Sequence, residues 1–172
     1  PCPGITGRVL EWLGPSLIAS GTGPALKFLE QTQALEGCWQ SLWGRGKING
    51  TYSALAGFAA AGKGVFDNEA YVLRGGEWLR SIQNADGGWG EDIHTANPVQ
   101  ASTATHTAWA VLGLIAGADL TSSSLHSGVR CLLNMQSADG GWSDDAPTVG
   151  GPGFEFLGNS FYPTAYATLA VK

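Results

Sequence analysis

Glutamine and tryptophan recur at one spacing, around a turn of an acidic residue and glycine. Two copies are close: Trp78-Leu79-Arg80-Ser81-Ile82-Gln83-Asn84-Ala85-Asp86-Gly87-Gly88-Trp89 and Cys131-Leu132-Leu133-Asn134-Met135-Gln136-Ser137-Ala138-Asp139-Gly140-Gly141-Trp142. A weaker one runs from Phe28 to Trp39 and keeps Gln33, Gly37 and Trp39. The glutamine precedes the tryptophan by six each time, and successive glutamines lie 50 and 53 residues apart. Such a period predicts a repeat architecture. The chemistry available to the set is hydrogen bonding. Gln33, Gln83 and Gln136 sit on last helical turns, where backbone carbonyls lack partners and an amide can bond to the turn. Glycine permits the positive φ at which a helix stops. Trp39, Trp89 and Trp142 are expected to fold back as apolar lids over these amides, each with an indole N–H still needing an acceptor. Asp86 and Asp139 are expected to bond turn amides rather than act as acids. Three copies in register argue against generic glycine-rich turns.

The other reactive side chains form no site of their own. His94, His106 and His126 lack the three- or four-residue spacing of helical metal ligands. His106 lies on a Thr/Ala-rich segment and is expected to be a hydrogen-bonded packing residue, with a cavity-facing role as the alternative. His126 is expected in solvent and Trp109 in the core. Cys2, Cys38 and Cys131 are odd in number with no Cys-x-x-Cys, which predicts free thiols acting as small apolar residues in a reducing compartment. No Gly-x-Ser-x-Gly or phosphate loop occurs. A net charge of −5 argues against a nucleic-acid partner. The start, Pro1-Cys2-Pro3-Gly4, has no basic region or apolar run of a signal peptide, and no apolar run approaches the ~20 residues of a spanning helix.

The elements that must position these residues alternate between two kinds. Amphipathic helices are expected over Ile5–Leu13, from Gly23-Pro24 to the first turn, over Asn68–Gln83 with Asp67 as N-cap, and over Ser122–Gln136. Gly75-Gly76 inside the third implies close packing or a local bend. Small-residue helices are expected over Thr51–Ala61 and Ala101–Ala118, with a last helix from near Pro163. Gly37–Asn49, Gly90–Gln100 and Asp144–Phe161 read as loops, and no strand is predicted. A small-residue helix suits an inner ring packed from both sides. The fold class is therefore all-α: a partial α/α barrel, or toroid, of roughly seven helices with Gly/Trp-rich turns, forming part of one domain over residues 1–172.

The Gln-x-x-Asp-Gly-Gly-Trp turns resemble the "QW" motifs of triterpene cyclases. Ile5-Thr6-Gly7-Arg8-Val9-Leu10-Glu11 resembles a helix of bacterial squalene–hopene cyclases. So do Gly37-Cys38-Trp39, Trp43-Gly44, Gly50-Thr51, Gly87-Gly88-Trp89-Gly90-Glu91, Ser102-Thr103 and Thr107-Ala108-Trp109-Ala110, in order along nearly the whole chain. The resemblance implies the C-terminal part of a cyclase α/α-barrel domain. It implies proton-initiated polycyclisation of squalene or a related polyprene, without metal or organic cofactor. Aromatic faces hold the migrating cation there without offering a nucleophile. It also implies peripheral attachment to the cytoplasmic side of a membrane for the full-length enzyme, and a possible homodimer.

The family's Asp-x-Asp-Asp acid is absent here, since neither Asp144-Asp145 nor Glu91-Asp92 matches it. The acid is expected on a missing N-terminal portion, and the segment alone is expected to be inactive. Trp43 matches a cavity tryptophan of the family, with a structural role in a Gly-rich loop as the alternative. Phe154 is the candidate from the terminal aromatic loop, here several residues shorter, with a packing role as its alternative. Asn49 stands where the family usually has a cavity tyrosine, and the end Thr168-Leu169-Ala170-Val171-Lys172 departs from the family's, which leaves a substrate and product other than those of hopene formation open. A degenerate, non-catalytic helical module binding lipid or a partner is the competing reading. A zinc-dependent prenyltransferase subunit would need an Asp-x-Cys, which does not occur, and a histidine where Pro163 follows Phe161-Tyr162.

Overall fold

A computed structural model describes residues 1–13, 22–42, 46–62, 70–92, 100–144, 149–151, 154–156 and 161–172. Seven helices lie among them: α1 (Pro3–Leu13), α2 (Thr22–Thr32), α3 (Lys47–Ala60), α4 (Ala70–Ser81), α5 (Ala104–Ala116), α6 (Ser123–Met135) and α7 (Phe161–Val171). They form two layers. In the inner row α1 packs on α3, α3 on α5 and α5 on α7. In the outer row α2 bridges α1 and α3, α4 bridges α3 and α5, and α6 bridges α5 and α7. The inner row is curved, because Arg8 of α1 donates from Nη2 to the Tyr166 hydroxyl of α7 at 3.4 Å. Two helices separated by two others in a flat row would not meet. None of the helices is long and apolar enough to cross a membrane among the described residues.

Composition explains which helix goes where. In α3 every residue from Gly50 to Phe58 is buried, and in α5 every residue from Ala104 to Val111. Small side chains let neighbours approach on all sides. A Cβ built on Gly7 of α1 would lie 2.0 Å from the Ser53 carbonyl oxygen of α3, so these two backbones touch through a glycine. The outer helices bury one stripe instead: Val72, Gly75, Gly76, Trp78 and Leu79 in α4, and Leu125, Gly128, Cys131 and Leu132 in α6. Gly75-Gly76 therefore reflects packing. The helix runs through both residues, and Gly75 meets the Trp39 ring and Leu55.

Several boundaries differ from the sequence-based expectation. Helix α3 begins at Lys47, inside the expected loop, because a carboxylate distant in sequence caps it. Helix α5 begins at Ala104, where the Thr103 hydroxyl accepts the His106 N–H; α6 begins after Ser122, whose hydroxyl accepts the Leu125 N–H. The proposed N-cap Asp67 lies outside the described residues. The expected loop after the third turn contains a short hairpin, β1 (Val149–Gly151) antiparallel to β2 (Phe154–Phe156), in register Val149↔Phe156. Pairing there satisfies backbone groups that no helix takes up.

Candidate functional site

The three turns make one repeated set of bonds. Gln33 Nε2 donates to the carbonyls of Gly37 (2.7 Å) and Tyr71 (2.7 Å). Gln83 Nε2 donates to Gly87 (2.7 Å) and Ser124 (2.8 Å). The first acceptor of each pair is its own turn, the second the first turn of the next outer helix. Gln136 Nε2 donates to Gly140 at 2.8 Å. The indole acceptor left open by the sequence is a leucine carbonyl ten residues back: Leu29 for Trp39 (2.7 Å), Leu79 for Trp89 (2.8 Å) and Leu132 for Trp142 (2.7 Å). Each tryptophan backbone N–H donates to a threonine of the following inner helix: Thr51 (3.1 Å), Thr107 (3.0 Å) and Thr164 (2.9 Å). A complete turn thus ties three helices, more than the two its sequence suggested. Asp86 and Asp139 accept the backbone N–H of Gly88 and Gly141, both at 2.9 Å.

A second repeated position escaped the sequence reading. Two residues after each tryptophan stand Ser41, Glu91 and Asp144. Glu91 takes the N–H groups of Lys47 (2.6 Å) and Ile48 (3.0 Å) at the start of α3. Asp144 takes those of Ala104 (2.7 Å) and Thr105 (3.2 Å) at the start of α5. Ser41 abuts Gly4, in the first turn of α1. The second and third turns therefore also cap the inner helix that precedes each, and the first turn touches the start of α1. Burial raises the Glu91 carboxyl from its ordinary range, against the pull of the two N–H groups. The signal available in the sequence was an oxygen-bearing side chain at one fixed offset in all three copies.

Where the inner row curves, side chains from four helices converge. The Arg8 guanidinium carbon lies 5.3 Å from the Tyr52 ring centroid and 5.8 Å from that of Tyr166. It donates to Glu11 and to the Tyr52 hydroxyl. Tyr166 packs edge-on against Tyr52 (6.3 Å between centroids) and against Trp109 (5.7 Å), and Trp109 edge-on against His106 (5.6 Å). Burial raises Tyr52, keeping its phenol protonated, and lowers His106 to about 4, so its imidazole is neutral at pH 7. The His106 Nδ1 pairs with the Thr103 hydroxyl at 2.8 Å. Edge-to-face pairs of this kind contribute about 0.5–1.5 kcal/mol each beyond area burial. The cluster offers π faces, phenols and one fixed cation. Arg8 and Glu11 are the only charges on α1, and that isolation was the sequence signal for them.

The remaining candidates are placed as follows. Trp43 and His94 lie outside the described residues, as does Asp145. Phe154 is in β2, where the backbone alone is described. His126 is exposed and Trp109 is buried. Cys2, Cys38 and Cys131 are buried and form no disulfide among the described residues; burial pushes the Cys38 thiol up to about 12 and the Cys131 thiol to about 11, so neither is a nucleophile at neutral pH. Asn49 lies within α3.

Two layers of alternating helices joined by tryptophan turns define a helical-toroid protein. The fold agrees with ent-copalyl diphosphate synthase from Streptomyces platensis, at a TM-score of 0.71 and 19% identity over 99% of this chain and 33% of that one. The chain belongs to the squalene–hopene cyclase C-terminal domain family, which it matches over residues 1–172. It is 36% identical over 161 residues to the probable squalene–hopene cyclase of Sinorhizobium fredii, covering 88% of this chain and 25% of that protein. The squalene–hopene cyclase of Bradyrhizobium diazoefficiens is likewise 36% identical, with 88% and 24% covered. Human lanosterol synthase is 35% identical over 127 residues, with 70% and 17% covered. The chain thus spans about a quarter of the length of the bacterial relatives.

Proposed function

We propose that this chain is the C-terminal segment of a squalene–hopene-type cyclase and forms part of the wall of an aromatic-lined cavity. There squalene or a related polyprene undergoes proton-initiated polycyclisation. Family membership along the full 172 residues carries the reading. The interior chemistry is compatible with it. Cations on carbon need neighbours that attract without adding to them, and the convergent rings of Tyr52, Trp109 and Tyr166 are of that kind. Their position relative to the substrate is part of the proposal, as are the cavity-facing roles of Trp43 and Phe154. The initiating acid comes from polypeptide outside these residues, whose sequence holds no Asp-x-Asp-Asp. An alkene is a weak base, so its protonation demands a strong, desolvated acid, which buried phenols and a neutral imidazole do not supply.

The test replaces the matched segment of the Bradyrhizobium diazoefficiens enzyme with this chain. The folded hybrid is given squalene and, separately, shorter polyprenes. Cyclised hydrocarbon by gas chromatography and mass spectrometry is expected, with strong loss in Trp43→Ala. A folded hybrid that returns every substrate unchanged rejects the reading in favour of a helical module without chemistry.

A further inference from the structure

The first two turns clasp the next outer helix alike, yet they differ in what stands beside the glutamine. Gln33 donates to the Tyr71 carbonyl of α4, and Gln83 to the Ser124 carbonyl of α6. A Cβ on Gly37 would lie 2.6 Å from the Arg74 carbonyl oxygen, and one on Gly87 would lie 2.8 Å from that of Ser127. Arg74 and Ser127 are therefore equivalent, three residues beyond each clasped carbonyl, and so are Trp78 and Cys131, four residues further on. In the first clasp the Arg74 guanidinium donates from Nη2 to Gln33 Oε1. In the second the serine is too short to do so, and Gln83 Oε1 accepts no bond among the described residues. Two large side chains give way to two small ones, and a cavity of about 340 Å³ lies between the turn and α6. Gln83, Asp86, Ser127, Arg130 and Cys131 all line it. Asp86 spends one carboxylate oxygen on the Gly88 N–H (2.9 Å) and the Ser102 hydroxyl (2.8 Å), which leaves the other. Burial and, after it, the negative charge of Asp86 push the Cys131 thiol up, so this carboxylate is near the buried thiol. Arg130 stands where α4 has Glu77, and it forms no ion pair or hydrogen bond among the described residues.

We propose that this cavity is a binding site for a zwitterionic amino acid bearing a guanidinium, the chemistry of free arginine. The guanidinium lies against Gln83 Oε1 and the spare Asp86 oxygen, and the α-carboxylate lies on Arg130. The first clasp carries the assignment, because there the same glutamine oxygen takes a guanidinium from the equivalent place on the helix. The two charges of the cavity decide the rest. One carboxylate and one guanidinium, not paired with each other, suit a ligand that carries both signs. A simple cation would meet the Arg130 charge, and a simple anion that of Asp86. A planar fork of five donors reaches two acceptors at once, which the compact ammonium of lysine does less well. The site belongs to the outer row, apart from the rings around Arg8, so it stands or falls independently of the cyclase reading.

The test titrates the isotope-labelled chain with L-arginine at constant ionic strength and follows the side-chain amide signals by nuclear magnetic resonance. Saturable movement of the Gln83 signal is expected, with a Kd on the order of 1 mM. The Gln33 signal should stay in place, since Arg74 already holds its oxygen. L-lysine lacks the guanidinium and L-argininamide lacks the carboxylate, and each should bind roughly tenfold more weakly. Ser127→Arg fills the cavity from within, as Arg74 does in the first clasp, and should abolish the movement. Arg130→Ala should bring L-arginine to the weak level of L-argininamide. Neither position is in the core, and unchanged circular dichroism checks the fold of both variants. The proposal is overturned if the Gln83 signal shows no saturable movement, or if Ser127→Arg binds as the parent does. Equal binding of L-lysine also overturns it, as that would be a general attraction of cations. So does equal binding of L-argininamide, because Arg130 would then hold no carboxylate.

Discussion

At the scale of the residue, one side chain type does different amounts of work in similar surroundings. Gln83 joins two backbone carbonyls across two elements, whereas Gln136 joins one in its own turn. Removing an amide that satisfies buried carbonyls leaves them unpaired, at about 1–3 kcal/mol. Gln83→Ala should therefore lower stability by about 2 kcal/mol in urea titrations, and Gln136→Ala by about 0.5 kcal/mol. Equal losses would mean that the second bond contributes nothing. His106 gives a pH signature. Its folded-state value of about 4 lies below its ordinary 6.5, so the unfolded chain takes up the proton first. Its contribution is complete above about pH 6.5 and is lost as pH falls toward 4, by roughly 3 kcal/mol across that window. Stability of the parent chain and of His106→Gln, measured by urea titration at pH 7 and pH 4.5, should show the steeper decline in the parent.

At the scale of the element, helix ends are decided by groups from elsewhere in the chain. Helix α3 starts four residues before the sequence pattern places it, because Glu91 supplies oxygen to two N–H groups that would lack partners. Glu91→Ala should cost about 1 kcal/mol, typical of a lost cap. It should also speed amide exchange at Lys47 and Ile48 while leaving Ala54–Phe58 protected. Unchanged exchange at Lys47 and Ile48 would remove Glu91 from the role. The turns themselves were legible, because hydrogen-bonding types at fixed offsets mark a local structure whatever surrounds it. Partners forty residues away were not, since Gln33 to Tyr71 and Glu91 to Lys47 have no local signature. The short hairpin was missed for a related reason: three-residue strands carry too few positions for alternation to show.

At the scale of the whole molecule, curvature brings the first helix to the last. Arg8 contacts Tyr52 and Tyr166 from one guanidinium, so it joins α1, α3 and α7 across the concave side. Arg8→Met keeps much of the volume and removes these bonds. It should lower exchange protection in α1 and α7 by a factor on the order of ten, leaving α4 and α5 nearly unchanged. A uniform loss over all helices would mean that Arg8 holds the whole fold rather than its two ends.

By itself the sequence determined the repeat, the all-helical class, the division into small-residue and amphipathic helices, and the family. Each of these follows from spacing and side-chain size along a short stretch. Tertiary structure alone decided what the clasps hold, which carboxylates cap the inner row, and which rings meet around Arg8. Those contacts join residues whose separation in the chain is far longer than a helical turn, and backbone carbonyls, the partners most often chosen, look alike in every sequence.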